Sequence, residues 1–289
     1  MHHGTVDGFS YGLVTPLVAY LMACLGGALG LRCTTRALLV AQSWRPGWLA
    51  LGSAAIGSGI WTMHFVAMMG FTVEGAPIHY DRPMTYASLV LAIVMVGIGI
   101  FIVGYRGATG SALFTGGTVT GLGIASMHYL GMAGMQLDGT VQYNTLTVAA
   151  SVVIAVVAAT AALWAAGQVR GFMWSVGASL VMGLAVSGMH YTGMAALSVQ
   201  VHGTGDGTVG ESPASLLAPM LIGPLAFLLL AGVVVMFDPL MVMGRPAGTP
   251  VEHKPGVPAP ELVTHSVHRP VARARRTPAR RTARAPQNR

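Results

Sequence analysis

Seven continuous apolar runs divide the chain, at roughly 11–31, 47–71, 85–104, 111–135, 146–167, 172–197 and 215–237. Each is close to the ~20 residues a helix needs to cross the hydrocarbon core of a bilayer. None alternates apolar with polar positions, which excludes the strands of a membrane barrel. The pattern predicts an all-α integral membrane bundle of seven transmembrane helices, joined by short polar connections. Glycine and alanine recur inside the runs, as suits helices whose backbones approach closely in lipid.

A second pattern is laid over the first. Met63, His64 and Met68 close the second run, Met127, His128 and Met132 the fourth, and Met189, His190 and Met194 the sixth. The shared form is Met-His-aromatic-x-x-Met, with Phe65, Tyr129 and Tyr191 as the aromatic and a small residue, Ala67, Gly131 or Gly193, before the last Met. The histidines are 64 and then 62 residues apart. That period implies three approximate two-helix repeats, each ending in a motif, followed by one extra helix.

Composition agrees with the membrane reading: 53% of residues are hydrophobic and 9% charged, against roughly 25% charged in soluble domains. Charge also orients the chain. The connection from Arg32 to Pro46 carries Arg32, Arg36 and Arg45, and Arg106 and Arg170 follow the third and fifth runs. The other connections, 72–84, 136–145 and 198–214, hold Arg82 beside Glu74, Asp81, Asp138, Asp206 and Glu211. By the positive-inside rule the basic connections and the tail are cytoplasmic and the N-terminus is outside. Residues 1–10 lack the basic start of a cleaved signal peptide and are expected as a short external N-terminus. The division expected is then 1–10, a membrane domain over 11–237 and a basic cytoplasmic tail over 238–289.

This topology brings all three motifs to one depth near the outer face. Residues four apart stack on one helix face, so His64 lies beside Met68, His128 beside Met132 and His190 beside Met194. The preceding methionine turns about 100° away, toward a neighbouring helix. Three imidazoles and up to six thioethers at one depth form a soft ligand set suited to copper, with Cu(I) favouring the sulfur. Methionine is also a common filler of apolar cores, but three histidines in register inside membrane helices weigh toward a shared site. Tyr129 and Tyr191 fit either an interfacial aromatic belt or support of the neighbouring histidines. Cys24 and Cys33, nine residues apart on one helix, are too far apart for a disulfide.

These motifs resemble the MHYT domain, a bacterial integral-membrane sensor family, and Met189 to Thr192 spell its signature in full. The resemblance covers 11–237. It implies a seven-helix signalling domain in which Met63, His64, Met68, Met127, His128, Met132, Met189, His190 and Met194 bind copper and sense oxygen, carbon monoxide, nitric oxide or another external signal. The first copy has Phe65 where the others have Tyr129 and Tyr191, and only the third has Thr192, where the second has Leu130, so neither phenol nor hydroxyl is common to all copies. Similar proteins often continue into diguanylate cyclase, phosphodiesterase or kinase domains; the roughly 50 residues after the last run are too few for one. The expectation is a sensor that signals through a separate output protein. A copper handler or a haem-binding membrane protein are the alternatives.

The tail, with many prolines and Arg273, Arg275, Arg276, Arg280, Arg281, Arg284 and Arg289, reads as disordered and attracted to anionic lipid. Nucleic acid is the less favoured partner, since no aromatics interleave the arginines. No GxxxxGK or Gly-x-Ser-x-Gly motif and no paired carboxylates support an enzyme. His79 and His202 read as solvated loop residues.

Overall fold

In a computed structural model, which describes residues 2–3, 6–7, 10–73, 77–168, 171–201 and 213–238, the seven apolar runs form seven helices. They are α1 (Val14–Leu39), α2 (Arg45–Met69), α3 (Arg82–Arg106), α4 (Gly110–Ala133), α5 (Thr145–Ala166), α6 (Phe172–Ala195) and α7 (Pro213–Met236). Several begin at side chains that satisfy the first free backbone donors. Asp81 accepts from the Met84 amide at 2.7 Å, Asn144 from Thr147 at 3.1 Å, and Thr109 from Ala112 at 3.4 Å. Pro46 and Pro83 occupy first-turn positions, where a missing N–H costs nothing.

From α1 to α6, helices adjacent in sequence are adjacent in space, and α6 returns to α1, so these six close into a ring. α7 lies outside it, against α2 and α1. The backbones of α1 and α2 approach closely, and a β-carbon on Gly26 would stand 2.6 Å from Cα of Gly59. Only glycine at both places allows that contact.

Six of the described helices are long and apolar enough to cross a membrane, and the protein is a multi-pass membrane helical bundle. The seventh, α4, has 24 residues but is diluted by glycine, serine and threonine. That composition serves contact with other helices: a β-carbon on Gly121 would lie 2.4 Å from Cα of Val156.

Two expectations need correction. Helix one was expected to end at Arg32, but α1 continues to Leu39. Its last turns are held by Arg36, whose Nε donates to Asp238 Oδ2 at 2.5 Å and whose guanidinium lies 5.4 Å from the Trp48 ring. A charged residue marked the end of the apolar run, not of the helix. The connections after α2, α4 and α6, expected as plain loops, contain short strands. These are β1 (His2–His3), β2 (Val6–Asp7), β3 (Thr72–Val73), β4 (His79–Tyr80), β5 (Met135–Gln136), β6 (Gly139–Tyr143) and β7 (Leu197–Val201).

All strand pairs are antiparallel: β4 with β5, β6 with β7, β7 with β1, and β2 with β3. The pairing therefore passes from each motif-end connection to the next, and the N-terminal segment joins the third back to the first. Residues 1–10, expected only as a short external tail, thus contribute two strands to this cap. The described residues belong to the larger of two units, Met1–Gly256. The basic tail beyond Asp238 and His202 lie outside the described residues.

Candidate functional site

The three motif histidines sit in the last third of α2, α4 and α6, one or two turns before Gly70, Gly134 and Ala196 end those helices. Because alternate helices of the ring carry them, their side chains meet at its centre. His64 Nδ1 lies 3.0 Å from His190 Nδ1 and 3.2 Å from His128 Nδ1. The ring centroids are 4.9, 5.0 and 5.1 Å apart, each pair edge to face. One ligand atom from each histidine falls within a 4.8 Å set. All three rings are buried, at 1%, 1% and 2% exposure.

Hydrogen bonding alone does not account for this triangle. An imidazole nitrogen has one in-plane lone pair or one N–H, yet His64 Nδ1 is within reach of two other ring nitrogens. One cation between them would satisfy all three. A metal bound by imidazoles at about 2.0–2.1 Å holds its nitrogens about 3.3 Å apart in a tetrahedral set, close to the separations seen. The residues present fit such an ion.

The outer edges of two of the rings are set by the small residue of a neighbouring motif. A β-carbon on Gly131 would stand 2.6 Å from His64 Nε2, and one on Gly193 would stand 2.4 Å from His128 Nε2. The second motif therefore seats the first histidine, and the third motif seats the second. The first copy has Ala67 at this place. His64 Nε2 and His128 Nε2 have no hydrogen-bond partner among the described residues, so the inward Nδ1 edge is the one with polar company.

The aromatic that follows each histidine packs edge-on against it: Phe65 at 4.6 Å, Tyr129 at 4.8 Å and Tyr191 at 5.0 Å. Tyr129 also forms a 2.7 Å hydrogen bond with the Ser151 hydroxyl of α5 and lies 6.0 Å from the Tyr143 ring in β6. This places Tyr129 in support of His128. In the cap, burial pushes the Tyr80 phenol above its ordinary pKa, and burial with a smaller contribution from Tyr129 does the same for Tyr143. Both are neutral hydroxyls at physiological pH.

Met63, Met68, Met127, Met132 and Met189 are buried in the same core, and Met194 is half-buried against it. His79 is exposed in β4 and stands outside the triad. Cys24 and Cys33 are free buried thiols. Gly131 and Gly193 were visible in the sequence as part of the pattern, but their role as seats needs the packing of one helix on the next. Ser151 carried no sequence signal.

A membrane bundle closed around a buried histidine triad, with the same motif on alternate helices, defines a repeat-built membrane domain. Residues 57–116 and 121–179 each match the family model described as MHYT, bacterial signalling protein N terminal repeat, so the chain carries two copies of that repeat. Each matched unit starts at a motif-bearing helix and runs through the next one. His64 and His128 fall inside the matches; His190 joins them through the internal repeat and the geometry.

Similar proteins include the bifunctional diguanylate cyclase/cyclic di-GMP phosphodiesterase MucR of Pseudomonas aeruginosa, 38% identical over 192 residues, or 65% of this chain and 28% of MucR. The cyclic di-GMP phosphodiesterase NbdA of the same organism is 36% identical over 211 residues, 68% of this chain and 26% of NbdA. The signaling protein YkoW of Bacillus subtilis is 29% identical over 194 residues, 65% of this chain and 24% of YkoW. The chain thus matches about a quarter of each relative's length. No solved structure matches it.

Proposed function

We propose that this protein is a membrane sensor whose histidine triad and motif methionines bind one copper ion, and which reports a diatomic gas or redox signal to a separate output protein. The observation that supports this best is the meeting of three imidazole nitrogens, 3.0 and 3.2 Å apart, on three separate helices. Copper is favoured over harder ions because the motif methionines lie in the buried core that surrounds the triad, and no carboxylate is among the clustered ligand atoms. Bound copper would supply a soft centre able to change oxidation state. The chain's own part is to hold the three rings edge to face, to exclude water from them and to fix their tilt with Gly131 and Gly193. Signalling as the role is supported by the family and by relatives named as signalling proteins.

In this reading all seven helices span the bilayer. α4 crosses with its polar and small residues turned to other helices. The strand cap and the triad lie toward the outside, and the tail lies in the cytoplasm, where its arginines meet anionic lipid. A reporter active only in the cytoplasm should work when fused after Arg289 and be silent within Leu137–Thr145. The reverse pattern would place the triad at the inner face.

The decisive test of the cofactor is elemental analysis of the full chain purified in mild detergent, with an absorption spectrum of the same sample. About one copper per chain without a haem band is expected. Protein that stays free of copper when prepared in its presence would overturn the reading, and a haem band would replace it.

A further inference from the structure

Beneath the histidine layer the helices line a cavity of about 30 Å³ whose walls repeat the period of the motif. Ile60, Ile124 and Val186 line it, and each stands four residues before a motif histidine, one turn away on the same helix face. Ile56, Thr120 and Met182 also line it, and each stands eight residues before, two turns away. All three histidine helices therefore present the same two layers to one void, which starts about 6 Å along the helices from the imidazoles at 1.5 Å rise per residue. Met182, which looks isolated in the sequence, belongs to this wall. The wall from α5 is built mainly on alanines, Ala158, Ala159, Ala162 and Ala166, with Leu163 among them.

The lining decides what the void can hold. It is large enough for water, since about 10–15 Å³ suffices, but an internal water needs about two to four polar partners. Of the side chains named above, only Thr120 is polar, and its hydroxyl has no hydrogen-bond partner among the described residues. A void of this kind stays dry and accepts small apolar guests. Protein cores normally close such space, because each cubic ångström left empty forfeits contact energy. Of the six helices apolar enough to cross a membrane, α5, which lines the cavity, has the smallest buried share, 22% of its apolar window, and apolar gases dissolve readily in hydrocarbon.

We propose that this cavity is a binding site for one small apolar molecule, of the size of a dissolved diatomic gas, held one helical turn from the histidine triad. Its purpose as an approach to the sensing centre rests on the function proposed above; its existence as a site does not.

Xenon is the probe. Crystals of the full chain, grown from lipid and pressurised with xenon, should show an anomalous peak bounded by Ile60, Ile124 and Val186. Ala159→Leu fills the void and should abolish the peak; Ala159→Val, a smaller addition, serves if the leucine variant does not fold and should reduce occupancy severalfold. Thr120→Val, which removes the hydroxyl and keeps the shape, should retain xenon. Wild-type crystals with no peak in the cavity, or with xenon only on lipid-facing surfaces, would overturn the proposal, as would an ordered water in its place. Copper measured on the same preparations separates the two readings: copper without xenon overturns the cavity site alone, and xenon without copper overturns the metal site alone.

Discussion

α2 and α5 are nearly the same length, 25 and 22 residues, yet 78% of the apolar window of α2 is buried inside the protein and only 22% of that of α5. α2 is the less apolar of the two. It carries Ser53, Ser58, Thr62 and His64, all buried, together with a run of glycines. α5 is mostly alanine, valine and leucine, and turns Leu146, Val153 and Val157 outward. In lipid the hydropathy of a helix measures how much of it faces hydrocarbon. The helices that carry the motif histidines are therefore the ones that look least like membrane spans, and α4 is the extreme case.

That contrast can be tested with one residue type in two settings. Trp61 in α2 is fully buried, and its indole N–H reaches Ser88 Oγ at 3.0 Å and the Thr85 carbonyl at 3.2 Å. Trp164 in α5 is 45% exposed. Trp61→Ala should cost about 3–5 kcal/mol, whereas Trp164→Ala should stay within about 1 kcal/mol, both read from thermal unfolding in detergent. Equal losses would mean that α5 is buried in the membrane as α2 is, through contacts with another chain.

A smaller effect distinguishes the motif copies. Gly131→Ala and Gly193→Ala push a methyl against His64 and His128, and should each destabilise by about 1–3 kcal/mol as overpacking does. Both should also weaken copper binding, because the ring they displace turns its Nδ1 away from the triad. Ala67→Gly should cost about 0.5–1 kcal/mol through backbone freedom alone and leave copper binding unchanged. Retained copper affinity in both glycine variants would show that the rings are not seated by these contacts. The smallest effect belongs to Tyr129→Phe, which removes the bond to Ser151 and should lower stability by about 0.5–1.5 kcal/mol, with copper retained.

Much of this was legible in the chain. Apart from the C-terminal end of α1, the seven runs locate the helices to within a few residues, because burial in lipid or protein demands continuous apolar stretches and the Gly, Pro, Asp and Asn punctuation falls at their ends. The convergence of His64, His128 and His190 follows from period and topology together. Three features were not legible. The extension of α1 to Leu39 depends on Asp238, 202 positions after Arg36. The strand cap depends on pairing between connections that carry only weak alternation, as in Thr-Val-Gln-Tyr of β6. The cavity depends on what α5 leaves unfilled, which no single helix encodes.

The central claim is that the three motifs make one site and not three. Copper per chain, measured after equilibrium loading of His64→Ala, His128→Ala and His190→Ala beside wild type, tests it most directly, with Met22→Leu as a control outside the motifs that keeps apolar volume. Removing any one imidazole from a shared triad leaves an incomplete ligand set. Each histidine variant should therefore fall from about one copper per chain to a small fraction of that, while still inserting and folding, and Met22→Leu should match wild type. Full occupancy in all three variants, or a loss of only one third in each, would contradict a shared centre.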